Sequence, residues 1–223
     1  MRYKYLSKFM IQYYQFKNRA IARLISIFKK NNNVLIYGPQ RSFTNFFTQY
    51  LERNFFVNIK KGTAYKNLDY YKHNPEPKLD IKILRNTTIF ILYKELNLWI
   101  KSLERNPMDF FEINKLFNHN ISNIKEVEKI KQYHKNFYNF WIEKKKFFPG
   151  IEFVDYQEML DDNFIYNFTK YIKSKYKYLS YKKIYIPKKV RFSDNFNKKN
   201  YKNFNKGDSS LSKQIQSLIK RQI

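Results

Sequence analysis

Cysteine is absent from all 223 residues. The chain can form no disulfide, present no thiolate to a metal and use no cysteine nucleophile. Histidine is nearly absent too: His73, His119 and His134 are the full set, and no close-spaced pair points to zinc, so no metal is expected. Glycine occurs only four times, which makes each one a marker of demanding backbone geometry. Acidic side chains are in short supply, with 18 Asp and Glu against 44 Lys and Arg, a formal charge of +26. Long apolar runs are missing as well. None approaches the ~18 residues that span a bilayer, and residues 1–30 lack both the unbroken apolar core and the small-residue cleavage site of a signal peptide. These absences point to a protein without a transmembrane segment, working in the cytoplasm.

What is present supports one packed domain. With 43% hydrophobic and 20% aromatic residues, the chain can bury a sizeable core, and neither an internal repeat nor a boundary divides it. The charge has two readings. Lys, Asn, Ile, Tyr and Phe are all abundant, as AT-rich coding produces, and that bias accounts for much of the Lys but not for the shortage of acids. The other reading is a surface that attracts anions over long range: nucleotides, acidic glycans, nucleic acid or anionic lipid.

Patterning divides the chain into a basic extension over 1–30, a core over 33–175 and a basic, Asn-rich segment over 182–223. Ile21, Leu24, Ile25 and Phe28 recur at helical spacing, predicting a helix near 17–30 that packs on the domain or lies on a membrane surface. Strands are expected at 34–37, at 57–59, at 88–93 and at 152–155. Between them, helical patterns follow Pro39, run from 96 to 104, from 123 to 146 and from 163 to 175, and a short one carries Leu211, Ile215, Leu218 and Ile219. Residues 60–80 read as a loop punctuated by Gly62, Pro75 and Pro77. Alternating strands and helices predict a three-layer α/β/α domain around a parallel sheet of four to five strands.

One turn carries the chemistry. Strand Val34-Leu35-Ile36-Tyr37 runs into Gly38-Pro39-Gln40-Arg41-Ser42-Phe43-Thr44-Asn45 and then a helix. The first turn of a helix presents free N–H groups and partial positive charge, a ready anion site. Arg41 adds a fork of donors matched to phosphate oxygens, and Ser42, Thr44 and Asn45 add short polar side chains. The G-x-x-x-x-G-K-[ST] pattern of triphosphatases fails, because Phe43 and Thr44 stand where Gly and Lys belong.

The segment resembles the donor loop of sulfotransferases, strand then G-x-P-[RK]-S-G-T-[TN] then an apolar helix, with Gly38, Arg41, Ser42, Thr44 and Asn45 in register. Gln40 departs from the usual Pro, and Phe43 from the usual Gly, where a positive φ would strain a side chain. A second segment is similar to the same family: a strand ending in the basic Lys94, a helix with Trp99, and Ser102 eight residues on. The resemblance covers roughly 33–175 and implies the P-loop-type sulfotransferase fold. It also implies a donor, 3′-phosphoadenosine 5′-phosphosulfate, whose 5′-phosphosulfate would sit on residues 38–45 and whose 3′-phosphate would be gripped by Lys94 and Ser102. Lys72-His73 lies where some small members carry a Lys-His pair. His73 is a candidate for the base that takes the acceptor proton or an exposed loop residue, with Glu76 a weaker candidate base. Lys72 or Arg41 would neutralise the leaving phosphate.

The expected function is transfer of a sulfuryl group to a hydroxyl or amine of an acceptor, which an anionic glycan or small molecule would fit. Two alternatives stand beside it. The charge, 20 Tyr and 22 Phe suit a nucleic-acid-binding protein, though no helix-turn-helix, zinc-finger or RRM pattern is present. Phe43 and Glu95 suit a degenerate member that binds nucleotide without turnover.

Overall fold

In the computed structural model, which describes residues 8–28, 32–62, 66–105, 121, 125–180, 184 and 209–220, the apolar run after Asn32 forms strand β1 (Asn33–Tyr37). The strands that follow are β2 (Asn58–Ile59), β3 (Thr87–Tyr93) and β4 (Ile151–Asp155). They make one all-parallel sheet in the order β2-β1-β3-β4. All seven residues of β3 are buried, the pattern of a central strand covered on both faces.

The period-2 geometry of a strand sorts the core into two layers. Val34, Ile36, Phe90, Leu92 and Val154 face one side, where α2 (Thr44–Asn54) and α6 (Asp162–Tyr176) cover them with Phe47, Tyr50, Leu51, Ile165 and Phe168. Leu35, Tyr37, Ile89, Ile91, Ile151 and Phe153 face the other side. There they meet Leu84 of α3 (Ile81–Asn86), Trp99 and Leu103 of α4 (Leu96–Arg105), and a row from α5 (Val127–Phe147) that includes Phe137 and Trp141. Leu211, Ile215 and Ile219 of α7 (Ser209–Lys220) complete that layer. Each fully buried Leu, Ile or Phe contributes roughly 1.5–3 kcal/mol, so both layers add to stability.

Helix α1 (Lys8–Phe28) begins nine residues earlier than periodicity suggests, because the apolar spacing is diluted by polar residues upstream of Ile21. It packs on the domain through Ala22 and Asn18, whose amide donates to the carbonyl of Glu52, while Tyr13, Phe16 and Leu24 stay exposed. The short α3 had no sequence signal beyond its cap, in which the Asp80 carboxylate accepts from the N–H of Lys82 at 2.7 Å. The loop over 60–80 contains one 3₁₀ turn, Leu68–Tyr70. On the edge strand β4, Glu152 is fully buried and ties two helices to the sheet: Tyr171, Lys175 and Tyr176 of α6 donate to its Oε1, and Lys145 of α5 lies 3.6 Å from its Oε2. His119 lies outside the described residues. Among the described residues, no helix is long and apolar enough to cross a membrane.

Candidate functional site

The strand order sets where a ligand goes. From β1 the chain crosses by α2 to β2 on one side; from β2 it returns past β1 to β3 on the other. The connections diverge between β1 and β3, which makes the carboxyl ends of those two strands the place where open α/β sheets put their ligands. Both sequence segments singled out above end there: 38–45 follows β1, and Lys94 follows β3.

The loop after β1 is tightly wound. Ser42 Oγ, fully buried, donates to the carbonyl of Pro39 at 2.6 Å, and the Ser42 N–H bonds the same carbonyl at 3.1 Å. A Cβ on Gly38 would sit 2.3 Å from Ser42 Oγ, so only glycine fits beneath that turn. Arg41 and Phe43 both take the left-handed region, at φ 67° and 58°, with Ser42 between them at negative φ. Alternation of this kind gathers N–H groups into an anion-binding concavity. Phe43 thus occupies a position suited to glycine, at a cost of about 1–2 kcal/mol. Its ring offsets that cost by packing against Phe46, Phe47 and Tyr156, with centroids 5.1–6.5 Å away. Phe43 is also the N-cap of α2 and supplies no side-chain cap, so the first-turn N–H groups lack that partner.

The Lys72-His73 pair docks on this loop through the backbone. The Gly38 N–H donates to the carbonyl of Lys72 at 2.9 Å, and His73 Nδ1 donates to the carbonyl of Gly38 at 2.7 Å. A carbonyl only accepts, so Nδ1 carries the proton and Nε2 keeps its lone pair. Burial first, then the charge of Lys72, pushes the His73 imidazole down to about 3, which leaves it neutral throughout the physiological range. The Lys72 ammonium donates to Asn45 Oδ1 of the loop, and its pKa is lowered by burial and by Lys61. Glu76 is exposed, with its backbone N–H bonded to Asn74.

Lys94 enters from the other strand. It is 7% exposed, its ammonium donates to the carbonyl of Arg41 at 3.2 Å and lies 4.7 Å from the centre of the Tyr156 ring. Burial, then Arg41 and Arg105, push it down to about 8. Among the described residues it forms no salt bridge with a carboxylate. Glu95 turns its carboxylate to the start of α4, where it accepts from the N–H groups of Asn97 and Leu98 at 3.2 and 3.3 Å. Trp99, fully buried, donates from Nε1 to the carbonyl of Gln40 at 2.7 Å and so ties α4 to the loop. Ser102 is half-buried on α4 one turn before Arg105, so the two share a helix face. His134, by contrast, is a buried packing residue whose Nε2 donates to the carbonyl of Lys94 at 2.9 Å.

Arg105 is the residue that sequence reading missed. Its i, i+3 relation to Ser102 was visible, but its approach to Lys94 depends on the crossing of α4 over the sheet. Three polar atoms of the loop complete the picture. Both amide atoms of Gln40, a residue only 2% exposed, and Nε of Arg41 are buried without a hydrogen-bond partner. Such groups are costly unless something meets them. A cavity of about 400 Å³ between α4, α5 and α7 is lined by Tyr93, Glu95, Glu128, Lys131 and Lys135, among others, and by neither Lys94 nor any residue of the turn.

The fold is an all-parallel α/β domain, and the turn singled out in the sequence follows β1 at its switch point. No family model, curated protein or solved structure matches the chain.

Proposed function

We propose that the chain binds a 3′-phosphorylated adenosine donor at the carboxyl ends of β1 and β3 and transfers its sulfuryl group to a hydroxyl or amine. The observation that carries this reading is Lys94, a buried ammonium beside Arg41 with no salt-bridging carboxylate among the described residues. A buried cation among cations either gives up its proton or takes an anion as partner. The orphaned Gln40 Nε2 and Arg41 Nε are donors that the same anion would meet from the loop side. Arg41, Lys72 and Lys94, all on or against the turn, supply cations for the phosphate groups of such a ligand.

In this reading Gly38, Gln40, Arg41, Ser42, Phe43, Thr44 and Asn45 form the cradle for the 5′-phosphosulfate, while Lys94 and Ser102 hold the 3′-phosphate. The acceptor oxygen or nitrogen attacks sulfur as the bond from sulfur to the phosphate oxygen breaks, releasing adenosine 3′,5′-bisphosphate. Arg41 and Lys72 stabilise the charge on that departing oxygen. His73 Nε2 takes the acceptor proton.

Thermal denaturation with added nucleotide tests the proposal. Adenosine 3′,5′-bisphosphate is expected to raise the melting temperature in a concentration-dependent way, and ATP and AMP far less. Arg41→Ala should abolish the shift while leaving the ligand-free melting temperature nearly unchanged. No shift at millimolar adenosine 3′,5′-bisphosphate would remove the basis of the proposal.

A further inference from the structure

Helix α1 presents its apolar side chains outward. Its described residues divide into two stripes on opposite faces. Asn18, Ile21, Ala22 and Ile25, at spacings of three and four, face the domain: Asn18 is 5% exposed, Ala22 is buried and the two isoleucines are half-buried. Tyr13, Phe16, Ala20 and Leu24 repeat at the same spacings on the outer face, where Phe16 is 74% and Leu24 60% exposed. A buried Asn and an exposed Phe on one helix reverse the ordinary order of burial. Hydrogen bonds fix that orientation. The Asn18 amide donates to the carbonyl of Glu52 at 2.8 Å, and the Asn32 amide to the carbonyls of Ala22 and Phe56 at 3.3 and 2.8 Å. Among the described residues, no other helix exposes more than two large apolar side chains, and on α5 those two, Val127 and Phe147, stand at opposite ends.

Charge frames the outer stripe. Lys17, four residues after Tyr13 and three before Ala20, borders it on one side. Arg19 and Arg23, three residues after Phe16 and Ala20, border it on the other, with Arg19 bound to Glu52. All three cations are exposed, and α1 contains no acidic residue. An apolar row with cations along both borders matches an anionic membrane surface, whose acyl region takes the row and whose headgroups take the cations. Other occupants fit less well. A second copy of the chain would set basic borders against basic borders, each chain carrying +26. Single-stranded nucleic acid would engage the cations and the two rings but leave Ala20 and Leu24 in water.

We propose that the outer face of α1 docks on the surface of an anionic lipid bilayer, with Phe16 and Leu24 inserted at the boundary of headgroups and acyl chains and the helix axis parallel to the surface. The contact lies beside the edge strand β2 and is independent of the sulfuryl-transfer reading.

Co-sedimentation of the full chain with vesicles tests the docking. Wild type should bind vesicles of equimolar phosphatidylcholine and phosphatidylglycerol, and bind phosphatidylcholine alone about tenfold or more weakly. Phe16→Gln with Leu24→Gln leaves every charge in place and should weaken binding to the mixed vesicles about tenfold or more. Phe147→Gln with Tyr166→Gln removes two exposed rings from α5 and α6 and should change that binding by less than about threefold. Phe16→Trp adds an exposed indole to a chain whose own Trp99 and Trp141 are buried. Its emission should shift to the blue with mixed vesicles and be quenched by bromine carried on the acyl chains. Equal binding by wild type and the α1 variant would reduce the attraction to net charge and overturn the proposal. So would equal weakening by the α5 and α6 control, or an indole emission that vesicles leave unmoved. A lipid-free dimer that dissociates on Phe16→Gln with Leu24→Gln would assign the stripe to a second copy instead. A single-stranded DNA oligomer bound more tightly than the vesicles, with the same loss in that variant, would assign it to nucleic acid.

Discussion

Phe43 shows how a residue can occupy a backbone position that suits glycine. The left-handed region costs it about 1–2 kcal/mol. Truncating a buried Phe costs about 3–5 kcal/mol, because the ring leaves a cavity among Phe46, Phe47 and Tyr156. Packing wins. Phe43→Gly should therefore lower stability by about 2 kcal/mol, even though it relieves the backbone. A lower urea midpoint at unchanged m-value is the expected result, and a raised midpoint would mean that strain outweighs packing. Lys94 gives a pH signature at the same scale. Its folded pKa, about 8, is below the ordinary 10.5, so between these values the unfolded chain binds a proton that the folded chain does not. Ligand-free stability accordingly gains from this group as pH rises through that window. Anion binding runs the other way, because it needs the protonated ammonium. Affinity for adenosine 3′,5′-bisphosphate should fall as pH rises through about 8, by no more than tenfold per unit from this group, and Lys94→Met should bind weakly with that dependence gone.

At the scale of elements, the turn after β1 is fixed by contacts between segments distant in sequence. Trp99 ties α4 to Gln40, the Gly38–Lys72 and His73–Gly38 bonds tie the 66–80 segment to the turn, and the Tyr37 hydroxyl donates to the carbonyl of Asp69. The last helix is fixed to the sheet in part by Gln216, whose amide donates at 2.9 Å to Asp155 at the end of β4. Burial, aided by Glu158 and Glu95, pushes the Asp155 carboxyl up to about 7, while the bonds from Gln157 and Gln216 oppose the rise. From 3.8 to about 7 the folded chain keeps a proton that the unfolded chain has lost, so this group subtracts stability as pH rises across the window. Asp155→Asn keeps an oxygen for the Gln157 N–H and removes the titration. Denaturant titrations should find the variant gaining on the wild type from pH 4 to pH 7 and level above it; a constant difference would contradict the account.

For the whole molecule, charge and topology work together. A net +26 raises the local concentration of any anion, but it does not by itself choose a site. The choice comes from where acids are missing. Glu152 is consumed by helix packing, Glu52 by Arg19 and Lys61, and Glu95 by the start of α4. Near the carboxyl ends of β1 and β3 this leaves Arg41, Lys72 and Lys94, while Asp155 at the end of β4 is held by Gln157 and Gln216.

The strands and most helices were legible because apolar periodicity and burial are local in origin. A run such as 88–93 has nearly every residue suited to a pleated, doubly covered strand, and the helices at 96–105 and 162–176 follow their apolar faces. The tight turn after β1 was legible for a similar reason, since Gly38, Ser42 and the strand before them act within a few residues. Three things were not local. Strand order decided that the turn and Lys94 meet. The crossing of α4 brought Arg105 toward Lys94, and the docking of 66–80 buried His73 and set its tautomer. Each depends on distance through space between residues tens of positions apart, which periodicity and spacing do not encode.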